Sequence, residues 1–366
     1  MAMTTRLLQP GDRIRVLVVD DSAVIRRLVS SVLQEDASLE VVGTASNGAL
    51  GLLRIPLLDP DVLTLDIEMP DMDGLEMLRC IRRDYPHLRV IMFSTLTERG
   101  AATTLEALTL GADDYVAKVS TVGSLDQSKF RLKAEMIPKI KQFFRTPVLS
   151  QTSTSPGVST ATSALTPPRF VPRSPRPEVV VIGISTGGPA ALGLILPRLP
   201  SNFPLPILIV QHMPPMFTRL LAERLNATCA LQVEEASEGS VVERGRILIA
   251  PGDFHMRLAW DQGRVCIRLD QSAQQNYCRP AVDVLFRSVG EVYGGAVLAV
   301  VLTGMGQDGL RGVEILKAQG ARILAQDEPS SVVWGMPGAV VGAGLADRVL
   351  PLVEMVPEIL RVLGRN

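Results

Sequence analysis

The carboxyl-terminal half of the chain is organised by the stretch EVVVIGISTGGPAALG, residues 178–193. A run of β-branched residues leads into a glycine-rich turn, and Pro189 then begins an apolar pattern typical of a helix. Strand, tight turn and helix in this order can cradle a phosphate or present a nucleophilic serine, here Ser185.

The same alternation of strand and helix patterns continues on both sides of this stretch. Upstream, the runs that predict strands are RVLVVDD, EVVGTAS, VLTLDIEM, RVIMFST and DYVAK. Downstream they are EVVVIGIS, LPILIVQH, RILIAPG, AVLAVVLTG and ARILAQD. Such alternation predicts an α/β fold with parallel sheets covered by helices on both faces. In such sheets the chemistry lies beyond the carboxyl ends of the strands.

A segment of unusual composition separates the two halves. Residues 146–177 contain six serines, six threonines and seven prolines among 32 residues, and no acidic residue. Such a segment buries too little apolar surface to offset the entropy of ordering, so we expect a flexible linker. The predicted domains are therefore residues 13–145 and residues 178–366.

Composition limits the classes of partner. A net charge of -1 gives no general attraction to nucleic acid. The apolar runs are far shorter than a membrane span, and the first residues lack a signal-peptide pattern, so we expect a cytoplasmic protein without membrane insertion. The cysteines lack CxxC spacing, which argues against a disulfide framework and a zinc site and suits a reducing cytosol. They are Cys80, Cys229, Cys266 and Cys278.

Acidic residues follow several strands of the amino-terminal half. Asp20 and Asp21 end the first predicted strand, and Asp66 lies on the third. Neighbouring carboxylates repel one another, and Mg²⁺ is the natural cation to neutralise them. One carboxylate can then form an acyl phosphate, with Lys118 and Ser94 at the phosphoryl oxygens.

The motifs VLVVDDSAVIR, LDIEMPDMDGLE and GADDYVAK make this half resemble the receiver domain of two-component response regulators. The resemblance implies a flavodoxin-like fold with a five-stranded parallel sheet. It also implies that a chemotaxis histidine kinase phosphorylates Asp66 and that Ser94, Tyr115 and Lys118 respond to the phosphate. The implied Mg²⁺ ligands are Asp20, Asp21, Asp66 and the backbone carbonyl of Glu68.

Nucleotide binding is the weaker interpretation of the turn at Ser185. A dinucleotide fold needs an acidic residue after the next strand, but that strand ends in Gln211 and His212. A Walker A loop needs a lysine that GGPAA lacks. The alternative is GxSxG, in which the flanking glycines allow a strained turn that exposes the serine hydroxyl.

A serine nucleophile needs a base and an acid. Among the three histidines, His87 precedes a strand in the receiver half and is predicted to lie in a surface loop. His212 and His255 both follow predicted strands, and spacing alone leaves both open as the base. Asp308, which is predicted to open a helix, is the strongest acid candidate; the remaining strand-end acids are Asp253 and Asp327.

The segments GISTGGP, VQHMPPMFT, APGDFHM, RPAVDVLF, LTGMGQDG and AQDEPSSVVWGMP resemble the chemotaxis protein-glutamate methylesterase family. The resemblance implies a doubly wound, mostly parallel α/β catalytic domain. It assigns Ser185 as nucleophile, His212 as base and Asp308 as the acid that orients it. Thr186 is placed beside the nucleophile, and the backbone N–H of Met305 in the oxyanion hole. Two departures from the family pattern are Ile184 and Cys278.

The implied activity is hydrolysis of glutamyl methyl esters on methyl-accepting chemotaxis receptors, and deamidation of glutamines on the same receptors, with no cofactor in the esterase step. We expect a monomer whose receiver domain covers the active site until Asp66 is phosphorylated. The alternative is a receiver joined to a non-catalytic output that binds a protein or a nucleotide.

Overall fold

The computed structural model describes residues 11–95, 97–118, 125–144 and 175–364, with the backbone alone for residues 125–128. Apart from residues 175–177, the predicted linker lies outside these ranges, so its flexibility and the predicted domain bounds stay predictions. Within the described ranges, every helix is too short or too polar to reach across a lipid bilayer.

The amino-terminal domain is built on one parallel sheet of five strands. Its spatial order is β2-β1-β3-β4-β5, the order of flavodoxin-like folds, as the sequence predicts. The central strands are buried along their whole length because helices cover both faces. The strands are β1 (Ile14–Val19), β2 (Leu39–Ala45), β3 (Val62–Asp66), β4 (Arg89–Ser94) and β5 (Asp114–Ala117).

The helices of this domain begin at side-chain caps that the sequence supplies. Ser22 accepts a hydrogen bond from the Ile25 N–H at the start of α1, and Asp73 and Glu76 form a capping box at the start of α3. The helices are α1 (Ala23–Gln34), α2 (Gly48–Leu58), α3 (Gly74–Asp84), α4 (Glu98–Thr109) and α5 (Leu125–Lys141).

The carboxyl-terminal domain is built on a parallel sheet of seven strands in the order β14-β13-β12-β6-β7-β9-β8. Helices lie on both faces, since alternate residues of β6 enter two different apolar clusters. The predicted doubly wound fold is therefore confirmed. The strands are β6 (Val179–Ile184), β7 (Ile207–Gln211), β8 (Gln232–Glu235), β9 (Arg246–Ile249), β12 (Val297–Val301), β13 (Arg322–Gln326) and β14 (Arg348–Leu350).

An antiparallel hairpin and two edge strands were absent from the predicted elements. The hairpin joins β10 (His255–Asp261) to β11 (Arg264–Asp270) as a separate two-stranded sheet. Arginines interrupt its apolar pattern, which hides it from a search for apolar runs. The helices of this domain are α6 (Gly188–Ile195), α7 (Phe217–Asn226), α8 (Val282–Tyr293), α9 (Leu310–Ala318), α10 (Met336–Gly342) and α11 (Met355–Val362).

The order of the strands fixes where a site can form. After β6 the chain moves to β7 on one side, and β12 pairs with β6 on the other side. The loops after these three strands therefore meet at a topological switch point, where parallel sheets open a crevice. Ser185, His212 and the loop that contains Asp308 all follow these strands.

The two domains contact each other at this edge. The ring of Tyr115, on β5, stacks on the ring of Phe217, on α7, with 4.9 Å between centroids and 9° between planes. Glu98 and Arg219 form an exposed ion pair of 2.6 Å across the same boundary. The receiver-like domain therefore lies against the edge of the second sheet that carries the candidate site.

Candidate active site

Ser185 lies on a sharp turn between β6 and α6. Its N–H donates to the carbonyl of Thr303 at 3.0 Å, and its own carbonyl accepts from the Gly188 N–H at 2.8 Å. Gly187, the residue directly before α6, has φ 78°, in the left-handed region that favours glycine. A Cβ on Gly304 would lie 2.8 Å from the Cβ of Ser185, so glycine is needed where this loop passes the serine.

His212 follows β7 and turns one ring nitrogen to a carboxylate. Its backbone N–H donates to the carbonyl of Ile184 at 3.2 Å, which ties it to the strand before Ser185. Its Nε2 lies 2.8 Å from Oδ2 of Asp308. Because a carboxylate only accepts hydrogen bonds, Nε2 carries the proton and Nδ1 is left as the nitrogen that can accept another.

Asp308 is held by backbone donors from another helix. Its oxygens accept from the N–H groups of Val282 at 2.6 Å and Asp283 at 3.1 Å, at the start of α8. The prediction that Asp308 opens the following helix is wrong, since α9 begins at Leu310 after Gly309. The carboxylate instead caps α8, where the helix dipole favours a negative charge.

His212 and Asp308 each stabilise the charged form of the other. Burial raises the pKa of Asp308, but the hydrogen bond and charge of His212 lower it below its usual range. For His212, burial lowers the pKa, but Asp308 and then Cys278 raise it above that of an ordinary histidine. The pair therefore favours an imidazolium next to a carboxylate, the state that a general base reaches after taking a proton.

Ser185 and His212 line one cavity of 450 Å³. Among the described residues no hydrogen bond joins them, and Nδ1 of His212 is in contact with Cys278 Sγ at 3.6 Å. Catalytic hydrogen bonds often form only when substrate binds, so the separation is compatible with a nucleophile and its base.

The other candidate bases and acids lie elsewhere. His255 is fully buried at the start of β10, where its Nδ1 accepts from the Ala281 N–H at 3.2 Å. His87 is exposed in a loop, as predicted. Asp253 accepts a hydrogen bond from Arg279, and Asp327 accepts one from the N–H of Ser330. The structure thus brings His212 and Asp308 together and gives His255, Asp253 and Asp327 different partners.

Asn276 was not predicted as a site residue. Its amide donates to Asp308 Oδ1 at 2.8 Å and to Asp283 Oδ2 at 2.9 Å. Asp283 in turn accepts from the Gly312 N–H at 2.8 Å in the first turn of α9. The two carboxylates therefore cap two neighbouring helices, and Asn276 bridges them. The sequence NYCRP, residues 276–280, carried no signal beyond the unusual cysteine.

Thr186, predicted beside the nucleophile, and Met305, predicted in the oxyanion hole, both line the cavity. Thr186 is buried, and its hydroxyl donates to Asp114 Oδ2 of the first domain at 3.0 Å. Met305 is partly exposed, and in the described part of the chain its N–H donates to no protein acceptor. A free N–H at this point is available to an oxyanion.

The first domain supplies one wall of the cavity. Asp114, Tyr115 and Lys139 line it opposite Ser185 and His212. Lys139 Nζ donates to the Tyr115 carbonyl and lies 4.8 Å from the centre of the Tyr115 ring. The cavity beside Ser185 is therefore lined by residues of both domains.

A second polar cluster lies at the carboxyl ends of β1 and β3. Lys118 Nζ lies 2.7 Å from Asp66 Oδ2 and 3.2 Å from Asp20 Oδ2. Burial raises the pKa of Asp66 to about 6, because the Lys118 ammonium lowers it less than burial and the Asp20 charge raise it. The single Lys118 ammonium therefore does not balance the negative charge of the two buried carboxylates. Asp21 adds a third carboxylate, which is exposed.

Comparison with protein families assigns both domains. Residues 180–359 match the model of CheB methylesterase, and residues 16–128 match that of the response regulator receiver domain. The chain belongs to the CheB methylesterase family. Its amino-terminal half is a response regulator receiver domain.

Two curated relatives match nearly the whole of this chain. A protein-glutamate methylesterase/protein-glutamine glutaminase of Trichodesmium erythraeum is 48% identical over 96% of this chain and 99% of its own. A protein of the same name from Nocardioides is 51% identical over 98% of this chain and 97% of its own. The crystal structure of the Thermotoga maritima CheB methylesterase catalytic domain is 46% identical and covers 51% of this chain and 98% of its own, with a TM-score of 0.50.

The acidic cluster of this CheB family member fits a magnesium ion. Asp20, Asp21 and Asp66 can each place one oxygen within 4.8 Å of the others, and an all-oxygen set is what Mg²⁺ prefers. Glu68 follows on an exposed loop, and among the described residues its carbonyl accepts no hydrogen bond. Ser94 lies buried at the end of β4, where its hydroxyl accepts from Thr104 at 2.6 Å.

Proposed function

We propose that this chain hydrolyses glutamyl methyl esters on methyl-accepting chemotaxis receptors, and deamidates glutamines there, with Ser185 as the nucleophile. The full-length relatives carry the names of both activities. The observation that carries the proposal is the His212–Asp308 pair of 2.8 Å in the cavity that Ser185 lines. Cytoplasmic location stays a prediction from the composition of the chain.

The orientation of the histidine defines the path of the proton. Nε2 is held by Asp308, so Nδ1 takes the proton of the Ser185 hydroxyl as its oxygen attacks the ester carbonyl. The developing oxyanion accepts from the free Met305 N–H and from the amino-terminal end of α6. His212 then returns the proton to the leaving methoxide, which departs as methanol. Water releases the glutamate by the same steps in reverse order, and a glutamine amide loses ammonia instead.

The receiver half is proposed to accept a phosphoryl group on Asp66 from a chemotaxis histidine kinase. Asp20, Asp21, Asp66 and the Glu68 carbonyl would hold Mg²⁺, which neutralises the carboxylates and the phosphoryl oxygens when it is bound. Lys118 already contacts Asp66 at 2.7 Å and would move to the phosphoryl oxygens. Because the buried charge on Asp66 is unfavourable, its neutralisation favours the state with Mg²⁺ and the phosphoryl group bound.

Phosphorylation is proposed to open the active site. Ser94 and Tyr115 are the residues expected to respond to the phosphate, and Tyr115 stacks on Phe217 of the catalytic domain. Movement of that ring weakens the contact that closes the cavity, which shifts the population toward an open state. The Thr186 hydroxyl is then released from Asp114.

Methanol release from methylated receptor, with and without a small phosphodonor, tests the proposal. Ser185→Ala should abolish methanol release and labelling by a serine-directed fluorophosphonate, whereas Ser201→Ala, in an exposed turn, should retain both. Asp66→Asn should retain basal release and lose the response to the phosphodonor. Turnover by Ser185→Ala at the wild-type rate would refute the assignment of the nucleophile.

A further inference from the structure

The active-site cavity contains a thiol beside an imidazole. Cys278 Sγ lies 3.6 Å from His212 Nδ1, and both side chains are half-buried and line the cavity of 450 Å³. Cys278 is a free cysteine. A thiolate and a neutral imidazole are the ligands that zinc and similar borderline-soft cations prefer.

The separation of the two atoms fits one bound ion. In a tetrahedral zinc site the Zn–N and Zn–S bonds are about 2.05 and 2.3 Å, which places the nitrogen and the sulfur about 3.6 Å apart. The observed distance between Nδ1 and Sγ is 3.6 Å. The distance between the two atoms is therefore the one that a shared ion requires.

The other ring nitrogen has the partner that a metal-binding histidine usually has. Nε2 donates to Asp308, and that carboxylate is itself fixed by the backbone N–H groups of Val282 and Asp283. A carboxylate behind the imidazole fixes the tautomer that leaves Nδ1 free and increases the basicity of that nitrogen. Asp308 thus holds one nitrogen of His212, and the other nitrogen faces the Cys278 thiol, where an ion can bind.

We propose that Cys278 and His212 form an inhibitory binding site for Zn²⁺ or a chemically similar divalent cation, with water in the remaining coordination positions. On binding, the Cys278 thiol and the protonated Nδ1 of His212 each lose a proton to solvent, and the sulfur and the nitrogen each form a bond to the metal. Inhibition follows because the metal occupies the nitrogen that takes the Ser185 proton. This inhibition rests on the proposed function, whereas the binding of the ion does not.

Sequence spacing could not indicate this site. Cys278 and His212 lie 66 positions apart, on loops that meet only because the sheet brings them together. Its donor set also differs from the oxygen cluster of the receiver domain, so the two sites take different ions. Excess Mg²⁺ can therefore occupy the receiver cluster while a softer ion is added to the full chain.

Cobalt(II) provides a direct test of binding. Added to reduced full-length protein in excess Mg²⁺, it should produce the near-ultraviolet absorption of a thiolate–cobalt bond, in wild type and in Ser185→Ala. Cys278→Ser should lose this absorption, and Cys229→Ser, which changes a half-buried cysteine outside the cavity, should keep it. Absence of the band in wild type, or its persistence in Cys278→Ser, would overturn the proposal.

A test on the unmodified chain avoids any effect of substitution on folding. Zn²⁺ should protect Cys278 from alkylation by iodoacetamide, as measured by peptide mass spectrometry, and should leave the alkylation of Cys80 in the receiver domain unchanged. Equal alkylation of Cys278 with and without Zn²⁺ would contradict the site.

The inhibition is measured separately. Zn²⁺ should reduce methanol release by wild type, and Cys278→Ser should raise the half-inhibitory concentration at least about tenfold, the smallest effect expected when even an outer partner of a metal ligand is lost. An unchanged half-inhibitory concentration would overturn the inhibition. Absence of esterase activity in metal-free wild type would instead count against the proposed function and leave the cobalt result valid.

Discussion

The Tyr115 ring of the receiver domain lies nearly parallel to the Phe217 ring of the catalytic domain, with 4.9 Å between their centroids. The Lys139 ammonium lies 4.8 Å from the centre of the same tyrosine ring, so the ring is placed between a cation and an aromatic side chain. Tyr115 is thus both a residue expected to respond to phosphorylation and part of the contact between domains.

Weakening the ring contact should activate the unphosphorylated enzyme. Phe217→Leu keeps an apolar side chain at this buried position but removes the stacked pair, which is worth about 0.5–1.5 kcal/mol. The population of the open state, and with it basal methanol release, should rise about two- to tenfold. Activity with a phosphodonor should change little, so the ratio of activated to basal activity should fall.

Arg219→Ala provides the matched control at the same boundary. It removes the exposed ion pair with Glu98, and such pairs contribute little because water screens them. Basal activity should stay close to wild type. If Arg219→Ala activates as strongly as Phe217→Leu, or if Phe217→Leu has no effect on basal release, the ring contact does not close the enzyme.

Neutralising Asp66 should stabilise the receiver domain at neutral pH. The pKa of Asp66 is raised to about 6, so the ionised group destabilises the fold increasingly as pH rises from its unfolded value through 6. Asp66→Asn should therefore raise the free energy of unfolding by about 1–3 kcal/mol at about pH 8 and by little near pH 4. Urea titrations without Mg²⁺ measure this difference.

Asp21→Asn is the control for that measurement, because its carboxylate belongs to the same cluster but is exposed. It should change the free energy of unfolding by no more than about 0.5 kcal/mol at either pH. A gain for Asp66→Asn that is equal at both pH values would contradict buried charge as the cause.

Asp308→Asn should change both the rate and its pH dependence. The Asp308 carboxylate raises the pKa of His212, and a general base acts only when it is neutral, so wild-type activity should rise with pH through that elevated pKa. Without the carboxylate this limb should move to lower pH, while the maximal rate falls about 10³- to 10⁴-fold. The pH profile of methanol release by phosphodonor-activated enzyme tests both effects.

Asp327→Asn is informative beside it, since Asp327 also follows a strand of the second sheet but contacts Ser330. Its pH profile should match that of wild type. A limb that stays in place in Asp308→Asn, or shifts to higher pH, would show that the carboxylate does not set the charge of His212.

Gly304→Ala should damage the nucleophile turn. The added Cβ would lie 2.4 Å from Met336 Sδ and 2.8 Å from the Cβ of Ser185, so one of these groups must move. We expect a loss of about 1–3 kcal/mol of stability and at least about a 10²-fold loss in maximal methanol release, which follows a displacement of about 1 Å at a reacting group.

Gly193→Ala, in α6, meets no atom within 4 Å and should leave activity unchanged and stability equal or higher by about 0.5–1 kcal/mol. Fluorophosphonate labelling rates and thermal unfolding of the two variants give both quantities. Equal labelling rates in the two alanine variants would contradict the role of close approach at Gly304.

The parts of the fold that depend on local pattern could be predicted from the sequence. All five strands of the receiver sheet and five of those in the second sheet coincide with predicted runs, because buried parallel strands need continuous β-branched residues. The edge that carries Ser185 and His212 followed from the same pattern. The hairpin of β10 and β11 was not predicted, since arginines interrupt its apolar residues and shorten the apolar runs.

The finer parts of the site depend on contacts between distant loops. Nothing in the spacing of Asp308 shows that it caps α8 rather than its own helix, because that depends on where Val282 lies in space. Likewise, Asn276 and Cys278 contact Asp308 and His212 only because their loop folds over the site. The resemblance to the family selected His212 over His255. The contact between His212 and Asp308 cannot be read from a single sequence.

The cavity between Ser185 and Tyr115 exists only while the two domains are together, since each contributes part of its lining. A small molecule shaped to fill it would therefore bind the resting form and be expelled as the domains separate. Such a compound would stabilise the contact between the two domains. It would inhibit most strongly when little of the protein is phosphorylated. Selectivity for one signalling state would then come from a cavity whose lining needs both domains.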